Sequence, residues 1–66
     1  MPRYVVMVAV LGNVTMFAKW QHVGNLGDIA ELSYTPVMFE DIEEAEQLCH
    51  ICEAIEHKES IVVRVS

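Results

Sequence analysis

Sixty-six residues make one domain, 1–66, with no room for two. A chain this short buries only about 60% of the surface it exposes when unfolded, so its own core is small. Ten acidic residues against four basic ones give a net charge of −6 with neutral histidines. That balance disfavours direct contact with nucleic acid or an anionic membrane, and steers the chain towards basic protein surfaces.

The same charge also keeps a small apolar protein in solution, which is its simpler reading. The apolar fraction is 53%, above the usual ~45–50%. So small an interior cannot hold all of it, and self-association or a protein partner is the natural cover for the surplus. Cys49 and Cys52 are too close in sequence to staple a fold, and no zinc-finger spacing is present. Two thiols with no distant partner suit a reducing compartment, so the expected location is the cytoplasm.

In chain order, Tyr4 to Leu11 is apolar on both alternating faces. That is the pattern of a strand covered on both sides, or of a central strand with one face on a helix and the other in an interface. It is far shorter than the ~18–20 residues of a membrane span. With Arg3 before it and Phe17-Ala18 after it, it has the outline of a signal peptide. Its β-branched valines and the turn signal that follows suit a strand better. Gly12-Asn13 then predicts a hairpin, with glycine supplying the positive φ of a type II′ turn. The second strand runs from Val14 to Trp20. Val14, Met16, Ala18 and Trp20 share one face, and Thr15, Phe17 and Lys19 the other. Asn13-Val-Thr15 matches a glycosylation sequon, discounted in the hairpin turn of a chain expected in the cytoplasm.

Gln21 to Asp28, with Gly24, Asn25 and Gly27, reads as a loop. Leu32, Tyr34 and Val37 suggest a third strand within Ile29 to Phe39. Pro36 makes it an edge strand or ends it near Thr35. Asp41 to His57 is an amphipathic helix. Asp41 serves as N-cap, Glu44 would complete a capping box, and Asp41, Glu43 and Glu44 suit the helix dipole. At 100° per residue, Ile42, Ala45, Leu48, Cys49, Ile51, Cys52 and Ile55 fall within about half the circumference and face the sheet. Lys58 follows the helix. Ile61 to Val65 is the last strand. The expected fold is α+β, in the order β-β-β-α-β, as a mainly antiparallel sheet ordered 3-2-1-4 with the helix on one face.

Three constellations bear on chemistry. Cys49-x-x-Cys52 has the spacing of a thiol redox pair, but it lies mid-helix on the apolar arc, where two small buried hydrophobes are the simpler reading. Glu46, His50, Glu53 and His57 share the polar helix face and have metal-ligand chemistry. One helix rarely closes a site, and only His22 lies elsewhere, so ordinary solvated Glu–His pairs explain them as well. Pro2 stands where small β-α-β tautomerases carry their base, but Met1 precedes it and the first strand runs into a hairpin. No catalytic set emerges, and neither a cofactor nor a metal is expected. Trp20, Tyr34 and Phe39, with Met16 and Met38, are more aromatic and thioether surface than one helix covers. These types are enriched at interfaces.

The run Val37-Met-Phe-Glu-Asp-Ile-Glu-Glu-Ala-Glu46, a helix and a valine-rich strand resemble a pattern in short bacterial and bacteriophage proteins. The small acidic β-β-α-β plan is similar to phage-encoded inhibitors of host enzymes, among them RNA polymerase inhibitors and anti-defence proteins. That resemblance implies a host-cytoplasmic, protein-binding role and transfers no functional residue.

The leading expectation is a non-enzymatic protein-binding module that inhibits or regulates a larger, nucleic-acid-processing protein. Its acidic helix face (Glu43, Glu46, Glu53, Glu56) would meet a basic surface, and its apolar contact would involve Met16, Trp20 and Tyr34. Two alternatives stand beside it. One is a homodimeric accessory protein that buries the first two strands. The other is a small metal or thiol protein using Cys49, Cys52, His50 and His57.

Overall fold

Valine-rich alternation produces β1, Tyr4–Val10, which pairs antiparallel with β2, Val14–His22, from Met7 opposite Phe17 to Val10 opposite Val14. The computed structural model describes residues 1–10, 14–56 and 59–66. The expected turn at Gly12-Asn13, together with His57 and Lys58, lies outside the described residues, as do the side chains of Ile55 and Glu56.

β2 continues two residues past Trp20. A short 3-10 turn, Gly24–Leu26, then links it to β3, Asp28–Ser33. Gly27 sits at φ 78°, a left-handed conformation that glycine adopts without a Cβ penalty. The reversal is closed where the Val23 N–H donates to the Gly27 carbonyl at 2.8 Å. β3 is an edge strand, as Pro36 predicted, but it ends at Ser33. There the Ser33 hydroxyl donates to the Thr35 carbonyl (3.0 Å) and accepts from the Thr35 N–H (3.2 Å), turning the chain out of the ladder.

The helix α1 runs Ile42–Glu56. Asp41 caps it as expected, its Oδ1 accepting from the Glu43 N–H at 3.0 Å. Among the described residues Glu44 makes no return bond to Asp41, so the box stays half-formed. β4, Ser60–Arg64, pairs antiparallel with β1, from Tyr4 opposite Arg64 to Val8 opposite Ser60. The result is a four-stranded antiparallel sheet, β3-β2-β1-β4, with one helix packed on it. Near its start β1 leaves β2, and Tyr4 and Phe39 instead exchange backbone hydrogen bonds of 2.8 Å each.

Alternation along each strand divides the sheet into two unlike faces. Val6, Val8 and Ala18 join Ala45, Leu48, Cys49 and Cys52 of the helix, and Phe39, in one core. Tyr4, Trp20, Ala30, Leu32, Val37 and Val62 pack around it. Burial of each large side chain here stabilises the fold by about 1.5–3 kcal/mol. Phe39, expected among the surplus aromatics, is a core residue at 7% exposure. The buried arc of the helix is narrower than the periodicity suggested. Ile42, in the first turn, overhangs the sheet and is 42% exposed.

The other face carries Val5, Met7, Phe17, Ile29, Ile61 and Val63. None of these belongs to the core.

Candidate protein-binding surfaces

The outer surface of α1 presents Glu43, Glu46, His50 and Glu53, all exposed. These side chains make no salt bridge among the described residues, so the acidic face expected from the spacing exists as a solvated surface. His50 lies on this side, whereas Cys49 and Cys52 are buried against the sheet. Among the described residues no group of three or more His, Cys, Asp or Glu side chains is placed to hold a metal ion.

The thiols belong to the helix–strand contact. Cys49 Sγ lies 3.1 Å from Ser60 Oγ, and the thiol points at Glu53 Oε1, 3.5 Å away. The Ser60 hydroxyl donates to the Cys49 carbonyl at 3.0 Å, which ties β4 to the middle of α1. Burial pushes the Cys49 thiol up from its ordinary value near 9.0. The carboxylates of Glu53 and Glu46 push the same way, and only the Ser60 hydrogen bond opposes them. A thiolate is therefore disfavoured at Cys49, the reverse of what a nucleophilic or redox-active cysteine requires.

The position of the helix over the sheet creates a groove. α1 rests chiefly on β1 and β4 and barely reaches β3. The resulting space over β2 and β3 is about 570 Å³ and is lined by Trp20, Asp28, Glu44, Gln47 and Ile51. Trp20 and Asp28 are on the helix side of the sheet because they alternate with residues that face away from it. Glu44, Gln47 and Ile51 follow one another at helical spacing along the near edge of α1. The site therefore combines one aromatic ring with two carboxylates and a carboxamide. Asp28 is also within 3.2 Å of His22 Nδ1, its cross-strand neighbour. An aromatic face beside carboxylates recognises a cation by ring quadrupole and charge together.

The groove includes Trp20 from the residues the sequence pointed to, and none of the others. Met16 is half-buried on the same face, and Tyr34, 82% exposed, stands in the bend after β3. Asp28 and Glu44 were not foreseen. Their local sequence marks Glu44 only as part of the helix cap and Asp28 only as part of a loop, because they meet only where the helix stops short of β3.

The far side of the sheet is a different kind of surface. Val5 is 2% exposed although it lies outside the core cluster. Its cross-strand partner Val63 and the flanking Met7 are part-buried with it, as is Phe17 opposite Met7. Ile61, at 60% exposure, extends this second apolar patch to the β4 edge, and Ile29, at 41%, stands apart at the β3 edge beyond Gln21 and Glu31.

The chain matches no known protein family, no characterised protein and no solved structure. No helix among the described residues is long and apolar enough to cross a membrane.

Proposed function

We propose that this chain is a non-catalytic protein-binding module that inhibits or regulates a larger protein through a basic surface on its target. The observation that carries this reading is the groove in which Trp20 lies beside Asp28 and Glu44. An arginine or lysine from the partner fits it, with its charge between the carboxylates and its stem or guanidinium plane against the indole. Glu43, Glu46 and Glu53 continue the negative surface around the helix and accelerate encounter with a basic partner.

Basic surfaces of nucleic-acid-processing proteins are where they hold phosphate backbones. A small acidic domain docked there inhibits by occupying that site, in the manner of the phage-encoded inhibitors it resembles. The raised Cys49 thiol favours this binding role over thiol chemistry, and two cysteines without a disulfide suit the cytoplasm.

The test is affinity capture from a bacterial lysate with the wild-type chain and an Asp28→Asn/Glu44→Gln double variant, at low and high salt. A partner retained by the wild type at low salt, released at high salt and lost by the double variant supports the proposal. Equal capture by both chains, or no specific partner, refutes it.

A further inference from the structure

A single-layer sheet has two faces, and among the described residues the helix packs on only one. The other face has an apolar half on β1 and β4, and a mixed half on β2 and β3 where Lys19, Gln21 and Glu31 also lie. Val5 is buried there, Met7, Phe17 and Val63 are half-buried, and Ile61 and Ile29 stand out at the two edges. Between Met7, Ala9, Thr15, Glu59 and Ile61 the surface dips into a hollow of about 250 Å³, ample for a side chain from an opposing surface. Scattered exposed aliphatics are ordinary on a small protein, but an apolar patch running from Ile61 and Val63 through Val5 and Met7 to Phe17 is not.

The charges around this face indicate what covers it. Nearly all of the net negative charge sits on and around the helix, on the opposite side. By alternation the uncovered face carries Lys19 and Glu31, which pair across β2 and β3 at 3.7 Å. Arg3 and Glu59 lie at its rim, held by backbone bonds to Val65 and Ala9. Two basic and two acidic side chains make it electrically balanced, so it has no preference for a strongly charged partner. It is also the one side of the described molecule that can approach its own copy without charge repulsion.

The area is sufficient. Four strands ~4.8 Å apart, with five to nine residues each rising ~3.3 Å, form a face of roughly 20 × 20 Å. Two such corrugated faces bury on the order of 1,200 Å² in total, the lower end of a stable interface.

We infer that the uncovered sheet face seats a second copy of this chain, giving a two-fold dimer in which two sheets pack face to face about 10 Å apart, as in a β-sandwich. The Trp20 grooves then lie on the two outer surfaces, so the dimer presents two cation-binding sites pointing in opposite directions. This inference does not depend on the proposed function, because the groove and the sheet face are on opposite sides of the molecule.

Sedimentation equilibrium on the full chain at tens of micromolar tests it, with Ile61→Glu and Ile29→Glu as interface variants and Glu53→Lys as a control on the helix side. Both isoleucines are largely solvent-exposed in one copy, so each variant should keep its far-UV spectrum. The wild type and Glu53→Lys should sediment at twice the 7.5 kDa chain mass. Each interface variant should weaken the dimer about tenfold or more, the cost of placing a charge in an apolar interface. A wild type that stays monomeric overturns the inference. So does a dimer unaffected by both interface variants, or one weakened equally by Glu53→Lys.

Discussion

Replacing Leu48 with alanine removes three carbons from the centre of the core, where the side chain is completely buried among Val6, Val8, Ala18 and Cys52. At about 0.8 kcal/mol per buried methylene the transfer loss is roughly 2.4 kcal/mol. The cavity left behind brings the expected cost to about 3–4 kcal/mol. A domain of this length has a total stability of roughly 3–10 kcal/mol, so the variant should be close to unfolding. Ile42 offers the contrast. It loses the same three carbons on substitution by alanine, but it is 42% exposed and alanine is the better helix former. Ile42→Ala should therefore cost no more than about 1 kcal/mol. Urea titrations followed by far-UV circular dichroism, at one protein concentration for all chains, measure both. With a slope near 1 kcal/mol/M, Leu48→Ala should move the midpoint down by about 3 M, or leave no folded baseline. Similar midpoints for the two variants would refute the core described above, because they would mean the helix is rotated on the sheet.

Asp41→Ala removes the acceptor for the Glu43 N–H and should cost about 1 kcal/mol, whereas Asp41→Asn should recover most of it; equal midpoints for the alanine variant and wild type would contradict the cap. Cys49 should be alkylated much more slowly than a free cysteine at about pH 8, because burial and the Glu53 and Glu46 carboxylates resist its ionisation. The folded thiol holds its proton more tightly than the unfolded one. The Cys49 contribution to stability should therefore be constant below the ordinary thiol value near 9.0 and fall as pH rises above it. Cys49→Ala should flatten that part of the profile, and an unchanged fall in the variant would assign it elsewhere.

Much of the fold was legible because it rests on local signals that agree with one another. The valines of β1 indicated a central strand, and Asp41 with its acidic first turn marked the helix start. The order β3-β2-β1-β4 followed from placing the last strand beside the most apolar one. What was not legible depends on how far the helix sits across the sheet. Periodicity assigned Ile42 to the buried arc, but it cannot say that the first turn overhangs. Nor can it show that α1 favours β1 and β4, which is what brings Glu44 within reach of Trp20 and Asp28. Phe39 looked like a surplus aromatic until its backbone pairing with Tyr4 turned it into the core. Phe17 shares a face with Thr15 and Lys19, but the alternation of β2 gives no sign of which side the helix takes, and Phe17 lies on the side away from it.

Trp20 is the only tryptophan, so its emission reports the groove directly. Titrating the chain with a short arginine-rich peptide at low ionic strength should shift or quench that emission saturably, and the response should vanish at high salt and in the Asp28→Asn/Glu44→Gln variant. An emission indifferent to the peptide in the wild type, or a response as large in the double variant, would contradict the reading of this groove as a cation-binding contact.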